Sequence, residues 1–123
     1  MNVHKQVAIK INGQCDEEVA PLVLALNEIP NLITHYSCQG EEGENAYVVF
    51  TIKGDWEYKL KVIHRIVDIL KEKKLTFSVT SEWSSSAKQQ FKLEVLQSDI
   101  LSVANYIGKR RRNYKWNPYE LVV

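Results

Sequence analysis

A chain of 123 residues, 45% apolar and 25% charged, has the composition of one soluble globular domain, large enough to bury a core without staples. No apolar run approaches the ~18 residues of a membrane span, and Met1-Asn2-Val3-His4-Lys5 lacks the basic-then-apolar layout of a secretion signal, so no membrane partner and a cytoplasmic location are expected. The net charge of +1 hides an asymmetry: residues 1–57 carry nine acidic and three basic side chains, residues 58–123 six and thirteen. Two solvated faces account for this, and so does a basic surface for phosphates or head-to-tail pairing of two chains.

Val3, Val7, Ile9 and Ile11 alternate with polar or small neighbours, which predicts a first strand ended by Asn12-Gly13. Asp16-Glu17-Glu18 puts negative charge where a helix N-terminus favours it. Val19, Leu22, Val23, Leu26 and Ile29 then form an i, i+3, i+4 stripe. Pro21 fits only a first turn, so this helix is expected to begin near Glu18 and to close at Pro30.

Leu32 to Cys38 reads as a second strand, and Ala46 to Ile52 as a third with apolar residues on both faces, hence a central one. Gly54-Asp55 opens a second helix with Trp56, Leu60, Ile63, Val67 and Leu70 as its expected core face. Leu75 to Trp83 is a fourth strand, Ser84-Ser85-Ser86 a turn, and Phe91 to Val95 a fifth strand. Ser98 is placed to N-cap a third helix with Ile100, Ala104 and Ile107 inward. The expected fold is therefore α+β: a ferredoxin-like split βαβ core (β-α-β-β-α-β) extended by a fifth strand and a third helix. Residues 1–123 form one domain, with 109–123 its basic-aromatic C-terminal tail.

In that arrangement the end of the second strand, Ser37-Cys38-Gln39-Gly40, shares a sheet edge with His4 and with the turn after Trp83. Cys15 falls at the opposite edge, so both cysteines are expected unpaired. A third helix crossing back would bring Arg110, Arg111 and Arg112 to the Cys38 edge.

Cys38 reads as a buried inert thiol or as a nucleophile, although odd spacing puts His35 on the opposite strand face. Glu41, Glu42 and Glu44 read as a solvated loop, as an acid/base or cation site, or as partners for the arginines. Trp83 is expected in the core, with its indole N–H at the rim. Lys109 to Arg112 complement a helix C-terminus. Followed by Tyr114, Lys115 and Trp116, they also suit phosphate contact and base stacking. No Cys-x-x-Cys, His-x-x-x-His, Walker loop, Gly-x-Gly-x-x-Gly or Gly-x-Ser-x-Gly occurs, so neither metal nor cofactor is expected.

The pattern Thr34-x-x-Ser37-Cys38-x-Gly40, followed by Ala46-Tyr47-Val48-Val49-Phe50, resembles that of small uncharacterised single-domain proteins of phages and Firmicutes, over residues 16–53. Ser37-Cys38-Gln39-Gly40 is also similar to the Ser-Cys-Ser-Gly strand end of the wybutosine-synthesis methyltransferases, which act on transfer RNA with S-adenosylmethionine. The second resemblance implies that this strand end lines a ligand site, and a phage setting implies binding rather than metabolism.

The reading that follows is a small binding module, phage-related, for a nucleotide-like molecule or single-stranded nucleic acid. Its expected ligand residues are Ser37, Cys38, Gln39, Gly40, Glu41, Trp83, Arg110, Arg111, Arg112, Tyr114 and Trp116. One alternative is an enzyme acting on a nucleotide or RNA with Cys38 in the site. The other is an interaction module that pairs with itself.

Overall fold

The computed structural model describes residues 6–9, 13–84 and 88–114, with backbone alone for 6–9, 13–15 and 109–114. The described residues follow one another as three hairpin-and-helix units. These are β1 (Gln6–Ile9), β2 (Gly13–Asp16) and α1 (Ala20–Asn27); β3 (Leu32–Cys38), β4 (Ala46–Ile52) and α2 (Trp56–Glu72); and β5 (Phe77–Trp83), β6 (Gln89–Val95) and α3 (Ile100–Tyr114). The class is α+β, a four-stranded antiparallel sheet with three helices, consistent with a ferredoxin-like-type core. The sheet order is β3-β4-β6-β5, so β4 is central and β5 lies at an edge.

The place of the first strand is corrected. Residues 3–11 read as one strand beside the third. Instead β1 ends at Ile9 and pairs antiparallel with β2, Ile9 opposite Gly13, in a two-stranded sheet of its own. Period-2 alternation identifies a strand but not its partner. A neighbour a few residues away is reached with far less loop-closure entropy than a strand across the sheet.

One face of the large sheet carries the core. Ala46, Val48, Phe50 and Ile52 of β4 and Phe91, Leu93 and Val95 of β6 are buried in one cluster with residues of all three helices. The predicted α1 stripe is buried throughout, from Val19 to Ile29. Its first turn is a 3-10 turn (Glu17–Val19), and Pro21 falls at the start of the regular helix, where no N–H is needed. α3 is likewise preceded by a 3-10 turn, Gln97–Asp99, and Ser98 lies inside that turn rather than capping.

The core face of α2 is also corrected. Leu70 is buried and Ile63 packs against the core as expected, and Tyr58, Val62, Ile66 and Ile69 are buried with them, whereas Trp56 and Leu60 are 54% and 50% exposed. Apolar positions run round more of this helix than one interface can cover. Two local contacts select the half that turns in. Asp55 caps the helix by accepting the Tyr58 N–H at 2.9 Å, and the Tyr58 hydroxyl donates to the Pro30 carbonyl.

Burial raises the Tyr58 phenol above the ordinary 10.0. Tyr47 is raised as well, first by burial and then by the nearby acidic groups of Cys38, Asp16 and Glu82. The unfolded chain therefore ionises these phenols first. Their contribution is complete below pH 10.0 and is lost as the pH rises from there through the raised folded values. Tyr58→Phe should cost about 1 kcal/mol at neutral pH through the lost hydrogen bond. In urea titrations its deficit relative to the parent should shrink as the pH passes 10.0. A deficit constant across that range would contradict the assignment.

Candidate functional site

The stretch after β3 is held by its own backbone. The Gln39 N–H donates to the Asp16 carboxylate at 3.1 Å, and the Gln39 side-chain oxygen accepts the Glu18 N–H at 3.2 Å. The end of β2 thus sits beside the end of β3. That corrects the expectation that residues near Cys15 lie at the opposite edge. From the far end of the chain the Gln97 side-chain amide donates to the carbonyls of Gln39 at 2.9 Å and Glu41 at 2.7 Å. Glu41 and Glu44 close the loop between them, the Glu44 N–H donating to the Glu41 carbonyl and the Glu41 N–H to the Glu44 carboxylate.

Gly40 makes this close approach possible. Its φ is +83°, and a β-carbon there would stand 2.7 Å from the Asn45 carbonyl oxygen and 2.8 Å from Gln97 Nε2. The polar groups of Gln39 and Glu41 read from sequence as ligand contacts are thus joined to β2, to the 3-10 turn before α1 and to the 3-10 turn before α3.

A β-bulge decides what the strand presents to the outside. The register of β3 on β4 shifts between Thr34 and Tyr36. Before the shift Leu32 and Thr34 pair with Ile52 and Phe50 on the core face. After it Tyr36 pairs with Val49 and Cys38 with Tyr47, on the other face. Odd spacing had placed His35 opposite Cys38. The inserted residue reverses that parity, and His35 Nε2 meets Thr51 Oγ1 at 2.8 Å on the same open face.

This face is assembled from three strands. Tyr36 is 66% exposed. Two residues along, Cys38 stands across from Tyr47, and the Lys92 ammonium lies 4.7 Å from the Tyr47 ring centroid. Lys92 also pairs with Glu94 at 3.7 Å. Val49, beneath these side chains, is buried yet lies outside the core cluster. The alternation Tyr47, Val49, Thr51 on β4 and Gln90, Lys92, Glu94 on β6 was visible in the sequence. It indicated two faces to each strand, but not that the helices all take the same one.

Of the remaining predicted residues, Trp83 does not join this group. Trp83 pairs with Gln89 at the end of the sheet away from Cys38, and it is 70% exposed rather than core. Its pairing partner lies beyond Phe91, the last residue of β6 in the buried cluster at that end. Arg110, Arg111, Arg112 and Tyr114 continue α3. His4, Trp116 and the serines at 85 and 86 lie outside the described residues. The Cys38 thiol is free, and its sulfur accepts the Gly40 N–H at 3.3 Å. Among the described residues no group of three His, Cys, Asp or Glu side chains is placed to hold a metal, and no helix is long and apolar enough to cross a membrane. No family model, curated protein or solved structure matches the chain.

Gly40→Ala should destabilise the fold by roughly 2 kcal/mol or more, since left-handed strain and a backbone collision add. Gly43 has a similar φ of +82° with open space around it, and Gly43→Ala should cost about 1 kcal/mol from strain alone. Urea unfolding of both variants checks the order, and equal losses would remove the close packing of Gly40 from the account.

Proposed function

We propose that this chain is a small binding module for single-stranded nucleic acid, with its site on the open face of β3, β4 and β6. One observation carries the reading. Tyr36 stands exposed on a sheet face that the helices leave uncovered, diagonal to a second tyrosine, Tyr47, whose ring is backed by Lys92. Diagonal neighbours on adjacent antiparallel strands lie roughly 7–8 Å apart, within reach of aromatic side chains. Flat aromatic rings on a sheet accept unstacked bases without regard to sequence, and a cation beside the ring meets the phosphates. The Gln39–Glu41 segment then frames the site rather than contacting ligand, because its backbone groups already serve the fold. Lys109 to Arg112, at the end of α3, supply positive charge of a kind that strengthens any such contact.

The test is fluorescence anisotropy of labelled single-stranded oligonucleotides and a panel of mononucleotides over a salt series. Affinity should fall as salt rises. Tyr36→Ala should weaken binding by roughly 1–3 kcal/mol, about five- to 150-fold, with little change in stability because the side chain is exposed. Tyr36→Phe should retain binding. Cys38→Ser should also bind, which separates this reading from an enzyme that needs the thiol. Absence of binding at low salt, or a Tyr36→Ala variant that binds like the parent, would overturn the assignment.

A further inference from the structure

The two edges of the four-stranded sheet are unlike each other. β3 carries the bulge at Thr34/Tyr36 and has the end of β2 beside its own end. β5 runs seven residues in unbroken register with β6 and has no described strand on its outer side. Its sequence, Phe-Ser-Val-Thr-Ser-Glu-Trp, contains no proline, lysine or arginine, the residues that usually defend an exposed edge. Every residue of β5 is exposed at least in part, and Thr80 to Trp83 are all exposed.

The hydrogen-bond phase of the hairpin shows which backbone groups face outward. The Ser84 N–H donates to the Lys88 carbonyl at 2.8 Å. In an antiparallel ladder such pairs recur at every second residue. Ser78, Thr80 and Glu82 therefore bond to β6, and the N–H and C=O groups of Phe77, Val79, Ser81 and Trp83 point away from it.

We propose that β5 pairs antiparallel with β5 of a second copy of this chain, about a two-fold axis at Thr80. In that register Phe77 lies opposite the second copy's Trp83, Val79 opposite its Ser81, Ser78 opposite its Glu82, and Thr80 opposite its Thr80. Every outward-pointing backbone group then meets an outward-pointing group of the other strand, because the paired positions are all odd-numbered. The single charge, Glu82, faces a serine, so no like charges meet directly. An aromatic pair forms at each end and covers Trp83. This self-complementarity selects a second copy over a foreign strand, and a two-fold contact of one strand with itself closes at the dimer. The proposal is independent of nucleic-acid binding.

Sedimentation equilibrium of the full chain over a concentration series tests it. The expected result is a species of twice 14.2 kDa. Thr80→Lys and Thr80→Glu each place like charges across the axis and should be monomeric, while an equimolar mixture should recover the doubled mass. Ser81→Pro removes an outward N–H, together with the exposed hydroxyl that accepts from Gln89 Nε2 at 2.8 Å, and should be monomeric with the strand and helix signature of the parent in its circular dichroism spectrum. Should a charged variant fail to fold, Thr80→Cys in a Cys15→Ser/Cys38→Ser background should cross-link under oxidised glutathione, since facing residues of a non-hydrogen-bonded pair approach to about 4.5 Å between Cα atoms. A parent that remains at the single-chain mass at its highest soluble concentration overturns the proposal. So does a folded Thr80→Lys variant that dimerises like the parent, or a dimer formed without cross-linking at Thr80→Cys.

Discussion

The pairing of β4 with β6 is the constraint on which the rest of the structure depends. It joins two hairpins that are otherwise local, placing Ala46 opposite Val95, Val48 opposite Leu93 and Phe50 opposite Phe91. The two phenylalanine rings lie 5.9 Å apart, both in the buried cluster that the helices close. Once this register is set, side-chain alternation leaves little freedom. Even-numbered residues of β4 and odd-numbered residues of β6 go to the core, and Tyr47, Val49, Lys92 and Glu94 go to the other face. A slip of β4 by one residue against β6 would invert the faces of β4 alone and take Phe50 away from Phe91 to the other side of the sheet.

The same region shows how one side chain from late in the chain fixes an early loop. Gln97 lies just beyond β6, and its amide joins the carbonyls of Gln39 and Glu41. Gly40 lies between those carbonyls and accommodates the contact because it has no β-carbon. A loop rich in chemical groups is thereby converted into a joint between the hairpins. The proposed site moves accordingly to the strand face beside it, where Tyr36, Cys38 and Tyr47 are held by the sheet ladder rather than by the loop.

The bulge at His35 links fold and function most directly. Without the extra residue Tyr36 would fall in phase with Leu32 and Thr34, against the core. With it, Tyr36 joins His35, Cys38 and Tyr47 on the open side. A local irregularity of one residue thus changes a core-facing aromatic position into an exposed one.

Much of the secondary structure was legible in the sequence, for physical reasons particular to each segment. Leu32–Cys38 and Ala46–Ile52 are bounded by residues that forbid continuation, Pro30 on one side and Gly40 and Gly54 on the other. The α1 stripe is buried as its spacing required. What periodicity could not give was the partner of each element. Residues 6–9 alternate as part of an expected strand of the main sheet yet pair with residues 13–16. α2 offers two apolar arcs, and the Tyr58 contact with Pro30 selects one. Trp83 has the character of a core residue but ends its strand beyond the buried cluster. The sequence by itself determined which residues form strands and helices, because steric and hydrophobic periodicity act over a few neighbours. Only the tertiary structure decided which faces are covered, where the bulge falls and which groups meet, because those depend on contacts between residues as distant in sequence as Gln39 and Gln97.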